Sequence, residues 1–166
     1  PNANRHLASF NRPNLYLDVK PAQDRIKHIL EFLEERPFES GIIYCLSRKS
    51  TEAIAEKLRN AGFKAKAYHA GMSSDERSLV QEEFITDKVP IIAATIAFGM
   101  GIDKSNVRWV IHYNLPKNIE GYYQEIGRAG RDGLKAHTLL FYSYADVIQL
   151  RRFTEGTATE EFQLAK

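Results

Sequence analysis

Two arginines three residues apart, in the glycine-rich segment from Gln124 to Gly133, offer the most specific chemistry in this sequence. Arg128 and Arg131 lie on one face if the segment is helical, and they form a fork if it turns. A guanidinium carries permanent charge and planar paired donors, which suit the oxygens of a phosphoryl group during transfer. An arbitrary Arg-x-x-Arg is more often a solvated basic loop, with partners such as Glu125 and Asp132. The spacing alone leaves both interpretations open.

The composition describes an ordinary globular chain of one domain. Of its 166 residues, 43% are hydrophobic and 27% are charged, and the formal net charge is only +2. Any basic surface that binds nucleic acid must therefore be local. The single cysteine, Cys45, excludes an intrachain disulfide, fits a reducing compartment and is expected to be a buried core residue. No apolar run approaches the roughly 18 residues of a membrane helix, so no membrane partner is expected.

Alternating apolar runs and helical periodicities predict the elements that must position the arginines. Residues 1–14 are predicted to be irregular. Strands are predicted at Leu15–Val19, Ile42–Leu46, Ala65–Tyr68, Ile91–Ala94, Arg108–His112 and Ala136–Tyr142. A first helix is predicted at Ala22–Glu35, with Pro21 in its first turn, and a second from a Ser47 cap to about Ala61. A third is predicted to begin at a Ser73–Glu76 capping box and to bury Leu79, Val80 and Phe84. Two further helices are predicted at Ile119–Ile126 and Ala145–Phe153.

This alternation predicts an α/β fold whose mainly parallel sheet is covered by helices on both faces. In such sheets ligands bind beyond the carboxyl ends of the strands. The candidate functional segments mostly follow strands, and they are Ser47-Arg48, His69-Ala70-Gly71, Thr95 to Asp103 and the arginine segment.

The segment Gln124 to Gly133 resembles motif VI of superfamily 2 helicases in the form carried by the RecQ family of DNA helicases. Three further segments resemble other parts of that family: Gly41 to Arg48 (motif IV), Ala67 to Met72, and Ala94 to Lys104 (motif V). Likewise Val110 to Lys117 resembles the approach to motif VI, Ser9 to Asn14 the start of the second motor lobe, and Asp146 to Arg152 the approach to a zinc-binding domain.

The resemblance implies a three-layer RecA-like domain over residues 15–155, preceded by a segment (1–14) from a first motor lobe and followed by a linker (156–166). No glycine is followed by a lysine, so the sequence lacks the Gly-Lys-Ser/Thr phosphate loop that binds ATP. The Asp-Glu pair of the sequence, Asp75-Glu76, begins a surface helix instead of ending a buried strand, so it is a poor magnesium-binding motif. ATP and Mg²⁺ would therefore bind mainly to a first lobe outside this sequence, and Zn²⁺ only to a downstream domain. No metal site is expected in this chain, which begins at Pro1 and is expected to be an inactive piece of a longer polypeptide.

The resemblance also assigns roles to individual residues around ATP. Arg131 is expected to be the arginine finger, and Arg128 a second phosphate contact or the brace of Arg131. Gln124 is expected to contact phosphate, the attacking water or Arg128, with a plain surface amide as the alternative. Gly101 would allow close backbone approach, and Asp103 would accept from the ribose or an arginine, or simply cap a turn.

Single-stranded DNA is expected to contact Ser47, Thr95 and the backbone of His69, Ala70 and Gly71 through its phosphates, which carry no sequence information. Arg48 is expected either to add a charge contact or to form a local ion pair. His69 has no cluster of metal ligands beside it in the sequence, so a structural or DNA-contacting role is favoured. Tyr122, Tyr123 and Trp109 are expected to pack in the core or between lobes rather than to stack on bases.

The resulting hypothesis is the second lobe of an ATP-dependent 3′ to 5′ DNA helicase of repair and recombination. Its expected partners are single-stranded and partly duplex DNA and the first RecA-like lobe. Its expected location is the cytoplasm in a bacterium or the nucleus in a eukaryote. Two alternatives remain: an RNA helicase of the DEAD-box kind, which carries His-Arg where this chain has Gln124-Glu125, and a non-catalytic nucleic-acid-binding module.

Overall fold

The computed structural model describes residues 5–7, 12–95, 98, 102–117, 119–146 and 148. Seven strands are found in this part of the chain: β1 (Arg5–Leu7), β2 (Arg12–Pro21), β3 (Gly41–Tyr44), β4 (Ala65–Tyr68), β5 (Ile91–Ala94), β6 (Trp109–His112) and β7 (Ala136–Tyr142). The helices are α1 (Arg25–Glu34), α2 (Arg48–Asn60), α3 (Ser74–Ile85) and α4 (Ile119–Ile126). Residues 144–146 are also helical, and most of the remaining predicted last helix lies outside the described residues.

The strands form one sheet in the order β1-β2-β7-β6-β3-β5-β4. Strands β2 to β7 all pair in parallel, and β1 runs antiparallel along the outer edge of β2. Strand β3 lies between β5 and β6, and its four residues are buried, as expected for a strand covered on both faces. The predicted, mainly parallel sheet is confirmed.

Two hydrophobic clusters cover the two faces of the sheet. One cluster includes Val80 and Phe84 of α3 with Ile126 at the end of α4. The other contains residues of α1 and α2, among them Ile29 and Ile54. Successive side chains of β3 alternate between the clusters, so the sheet is the middle layer of three.

Both predicted serine caps are found. The Oγ of Ser47 accepts from the Ser50 N–H at 3.1 Å and starts α2. The Oγ of Ser73 accepts from the Glu76 N–H at 3.1 Å, which is the serine half of the predicted capping box, and the Glu76 carboxylate accepts from the Ser73 hydroxyl at 3.1 Å. These local bonds satisfy N–H groups that the helices themselves leave unpaired.

Three local predictions are wrong. The segment predicted to be irregular contains β1 and the first residues of β2. Pro21 ends β2 instead of entering the first turn of α1, because pairing with β7 extends to Tyr142 and α1 begins only at Arg25. Leu79 is 52% exposed, since α3 turns Val80 and Phe84 toward the sheet and leaves Leu79 about 100° away on the helix.

The centre of the sheet depends on the absence of a side chain at Gly41. Gly41 lies opposite Trp109 in the β3–β6 register, and a Cβ at Gly41 would lie 2.0 Å from the indole Cδ2. Trp109 is fully buried, and Phe32 of α1 packs edge-on against it with ring centroids 5.8 Å apart. The indole therefore has no open space into which it can withdraw.

We expect Gly41→Ala to lower the free energy of unfolding by about 3 kcal/mol, since an extra carbon in a packed core forces backbone and side-chain shifts. Urea denaturation followed by circular dichroism measures this loss. The double variant Gly41→Ala/Trp109→Phe should lose less unfolding free energy than the two single variants lose together, because phenylalanine lacks part of the clashing ring system. Additive losses would show that the indole is not the obstacle.

Candidate nucleotide and nucleic-acid interface

Three of the predicted functional segments meet at the carboxyl edge of the sheet. Tyr44 at the end of β3 and Tyr68 at the end of β4 both register with Ala94 at the end of β5. The backbone continues this alignment, because the Cys45 N–H donates to the Ala94 carbonyl at 2.8 Å and the Thr95 N–H to the Tyr68 carbonyl at 3.2 Å. The residues that follow these strands therefore share one surface.

Ser47 and Arg48 lie where α2 begins on this edge. Ser47 is exposed, and its hydroxyl also donates to the Ser50 hydroxyl at 2.8 Å. Arg48 is exposed, and its Nη1 atom lies 3.3 Å from the position that a Cβ of Gly71 would take. No ion pair of Arg48 is found among the described residues, and its charge lies beside the 69–71 turn.

His69 shapes the turn that follows β4. Its Nδ1 accepts from the Gly71 N–H at 3.0 Å, and its Nε2 lies 2.8 Å from the Glu52 carboxylate. These partners place the ring proton on Nε2, which donates to Glu52. The imidazole is buried, whereas Ala70 and Gly71 are exposed. The ring therefore holds a turn whose backbone faces outward.

Thr95 is partly exposed beside these segments, and its carbonyl accepts from the Phe98 N–H at 3.1 Å. Gly101 lies outside the described residues. Asp103 is exposed, and the next residue, Lys104, is buried and pairs with Asp87 at 2.6 Å. The predicted roles of Gly101 and Asp103 stay predictions.

A cavity of about 150 Å³ opens where β3 lies between β5 and β6. The connection after β3 leads to α2 on one face, whereas the connection after β6 leads to α4 on the other. Such a divergence of neighbouring connections creates a crevice at the carboxyl ends of parallel strands. The cavity is lined by Cys45, Leu46, Thr95, Pro116, Lys117, Gly121 and Glu125.

The arginine loop, residues 127–135, does not follow a strand but joins α4 to β7. The Gly130 N–H donates to the Val107 carbonyl at 2.8 Å, and the Asp132 N–H to the Ser105 carbonyl at 3.1 Å. Both acceptors precede β6, so the loop runs toward the amino ends of the strands. This course leads residues 130–132 away from the carboxyl edge that carries Ser47 and Thr95.

The loop places its two arginines differently. Arg131 is exposed, whereas Arg128 is partly buried and lies beside the Tyr44 phenol. Burial raises the pKa of Tyr44, and the positive charge of Arg128 opposes that rise. Gln124 is exposed on α4, so its side chain is accessible to a ligand. Their predicted contacts with ATP are not tested by this geometry.

A buried pair next to Gln124 was not predicted from the sequence. The Nε2 atom of His112, at the end of β6, lies 2.8 Å from the carboxylate of Glu125. The side chains are 2% and 10% exposed, and the His112 ring stacks on Tyr44 with centroids 5.3 Å apart. The pair anchors α4 over β3 and β6 directly ahead of the arginine loop.

Arg12 and Asn14 were also missed, although both contact the arginine loop. The Arg12 guanidinium donates to the carbonyls of Gly127 and Ala129, and the Asn14 amide donates to those of Gly130 and Leu134. The contacts of Arg12 span 115 and 117 positions of the chain. No local pattern in a single sequence reports pairs so far apart.

The described residues contain no group of three or more His, Cys, Asp or Glu side chains placed to hold a metal ion. None of the described helices has the length and apolar character needed to cross a bilayer.

Comparison with known proteins adds a family and a set of relatives. The helicase conserved C-terminal domain family matches residues 24–133. The chain is 53% identical over 147 residues to ATP-dependent DNA helicase hus2/rqh1 of Schizosaccharomyces pombe, covering 87% of this chain and 11% of that protein. It is 49% identical over 151 residues to ATP-dependent DNA helicase RecQ of Haemophilus influenzae, covering 91% of this chain and 24% of that protein.

The fold also matches a solved structure. The crystal structure of a DEAD box protein from Methanococcus jannaschii superimposes with a TM-score of 0.72 at 32% identity, covering 83% of this chain and 38% of that one. The chain therefore has the fold of a lobe of that protein.

We expect the Cys45 thiol to react about a thousandfold more slowly in the folded chain than in the unfolded chain near neutral pH. Burial raises its pKa to about 12, which leaves little thiolate, although Cys45 lines the cavity. Release of thionitrobenzoate from Ellman's reagent, with and without urea, measures both rates, since Cys45 is the single cysteine. Rapid labelling of the folded chain would mean that the cavity opens to reagents.

Proposed function

The chain belongs to the helicase conserved C-terminal domain family, and on that premise we propose that it is the second motor lobe of an ATP-dependent DNA helicase of the RecQ type. Its similarity to the DNA helicases of S. pombe and H. influenzae supports the choice of DNA. The direction of movement, 3′ to 5′, and a role in repair and recombination are proposed from the RecQ resemblance.

One observation carries the proposal: the exposed Arg131 is presented by a backbone held from three sides. Arg12 and Asn14 bind its carbonyls, residues before β6 accept from its N–H groups, and Arg108 donates to the Lys135 carbonyl at 2.8 Å. A basic loop that served only for solubility would gain nothing from such a rigid backbone. A residue that must meet a phosphoryl group at a defined position requires it.

In the proposed reaction, water attacks the γ-phosphoryl group of ATP while the bond to ADP breaks. Negative charge on the transferring group is then stabilised by Arg131, whose paired N–H donors match phosphoryl oxygens. Arg128 supplies a second positive charge or keeps Arg131 in place. The first lobe would supply the phosphate loop and the Mg²⁺ ligands, and closure of the two lobes would bring Arg131 to the nucleotide.

We propose that DNA lies across the carboxyl edge, on phosphate contacts from Ser47, Arg48, Thr95 and the exposed Ala70-Gly71 backbone. The bond from the Gly71 N–H to His69 fixes the turn, and the bond from the Ser50 N–H to Ser47 fixes the helix start, so the residues that would contact DNA are held in constant positions. Such contacts position a strand without reading its bases. The charge of Arg48 adds attraction that weakens with salt.

The two surfaces share the β3 strand. Arg128 lies beside Tyr44 at the end of β3. Directly after Tyr44, residues 45–47 connect β3 to Ser47 on the proposed DNA surface. Tyr44 in turn stacks on His112, which binds Glu125 of α4. A movement of the arginine loop on ATP hydrolysis can therefore reach the DNA edge through packed side chains.

Two comparisons favour the RNA-helicase alternative: the superposition on a DEAD box protein, and 48% identity over 161 residues to a putative ATP-dependent RNA helicase of Acanthamoeba polyphaga mimivirus. The Glu125–His112 pair argues against it. An arginine at position 125, as in the DEAD-box pattern, would place a second cation beside His112 instead of its carboxylate partner. We therefore favour DNA over RNA as the substrate.

In the full-length protein, Arg131→Ala should lower kcat for ATP hydrolysis by about a thousandfold or more, the scale observed for arginine fingers. The Michaelis constant should change much less, because the contact is strongest in the transition state. Lys135→Ala is the matched control, since it removes an exposed charge from the end of the same loop. A variant that raised the Michaelis constant and retained kcat would make Arg131 a ground-state contact.

Thr95→Ala in the full-length protein should weaken single-stranded DNA binding and DNA-stimulated hydrolysis while nearly preserving ATP binding. Loss of one phosphate hydrogen bond should cost about tenfold in affinity. Fluorescence anisotropy with labelled DNA and RNA, together with steady-state ATPase assays, measures both effects. Thr86→Ala, which removes a hydroxyl at the end of α3, is the control. Equal loss of DNA affinity in Thr95→Ala and Arg131→Ala would contradict two separate surfaces, and stronger stimulation by RNA would favour the alternative substrate.

A further inference from the structure

We propose that Arg12 and Asn14, at the start of β2, are positioning residues that set the geometry of both loop arginines. This inference rests on the proposed function of the arginine loop. It adds that side chains about 115 positions earlier in the chain hold the backbone of that loop in place.

Arg12 binds the carbonyls of the two residues that flank Arg128, Gly127 and Ala129. Its Nη1 donates to the Gly127 carbonyl at 3.1 Å and its Nη2 to the Ala129 carbonyl at 2.5 Å. Both carbonyls belong to the loop that follows α4, outside the hydrogen bonds of the helix itself. One planar guanidinium reaches both acceptors, and an ammonium group cannot reproduce this paired geometry.

Asn14 holds the peptide group that leads into Arg131. Its Nδ2 donates to the Gly130 carbonyl at 2.8 Å and to the Leu134 carbonyl at 2.9 Å. The approach is so close that a Cβ on Gly130 would lie 2.5 Å from this nitrogen, and Gly130 has a φ of +62°. Glycine at position 130 thus admits both the turn and the amide of Asn14.

The position of β2 explains why these two side chains are available. Pairing of β2 with β7 begins at Leu15 and Ala136, so Arg12 and Asn14 lie ahead of the paired region, alongside the loop that ends at Lys135. Residues two apart on a strand point to the same side. Pro13 lies between them, and both flanking side chains reach the loop.

The positive charges of Arg12 and Arg131 interact at this end of the loop. Burial and, second, the positive charge of Arg131 both lower the pKa of Arg12. The two guanidinium groups therefore repel each other in the free lobe. A phosphoryl group at Arg131 would relieve this repulsion, whereas the carbonyl bonds keep Arg12 itself directed at the backbone.

The first test uses this chain alone and needs no nucleotide. Arg12→Ala and Asn14→Ala should each speed hydrogen exchange at the Gly130 and Asp132 amides by about tenfold or more, because the loop opens more often. Arg59→Ala is the matched control: its Nη1 donates to the Ala65 carbonyl at 3.0 Å, a guanidinium–carbonyl bond on another part of the fold. Unchanged exchange in both loop variants would overturn the proposal.

The second test measures ATP hydrolysis by the full-length protein. Arg12→Ala should lower kcat about 10- to 100-fold with little change in the Michaelis constant, since small misplacement of a catalytic group has costs of this size. In an Arg131→Ala background the same change should have almost no further effect, because Arg12 acts through that arginine. Full additivity would overturn the proposal, whereas an Arg131→Ala variant with normal kcat would instead refute the proposed function.

Arg12→Lys separates positioning from charge. It keeps the cation but loses the paired donation, so kcat should stay well below that of the natural protein. Full recovery with lysine, or a large rise in the Michaelis constant on Arg12→Ala, would make Arg12 a direct phosphate contact and overturn positioning. If Arg12→Ala does not fold, as thermal unfolding would show, Arg12→Lys and Asn14→Ala test the same prediction.

Discussion

Parallel hydrogen bonding of β3 to β5 on one side and to β6 on the other determines where each part of the site can lie. It brings the ends of β3, β4 and β5 to one edge and leads the connections after β3 and β6 to opposite faces. It also presses Gly41 against Trp109, so the register of β3 is fixed by shape as well as by hydrogen bonds. A shift by one residue would exchange the two faces of the strand and place Tyr44 away from Arg128 and His112.

Most of the fold could be predicted because its signals are local. Buried strands such as β3 and β5 are continuous apolar runs, and Ser47 and Ser73 begin their helices through bonds to residues three positions away. Strand β1 and the start of β2 could not be predicted, since their residues are polar and become strands only by pairing with each other. The exposure of Leu79 was missed because periodicity locates an apolar stripe but not its limits.

The candidate site, like the fold, could be predicted from the sequence only where its signals are local. The placement of Ser47, His69 and Thr95 on one edge follows from the rule that parallel strands end together. The Glu125–His112 pair and the contacts of Arg12 and Asn14 join separate elements, and neither spacing nor composition reports them. Sequence reasoning thus identified residues with distinctive chemistry and missed the ordinary side chains that hold them.

The long separation between β2 and the arginine loop has a consequence for the order of folding. Contacts that span 115 positions close a large loop of chain, and their entropic cost is repaid only after the intervening sheet has assembled. During synthesis, the carbonyl groups that accept from Arg12 leave the ribosome only after most of the described chain has emerged. The loop can therefore acquire its final shape only at a late stage, after the sheet that connects it to β2 has formed.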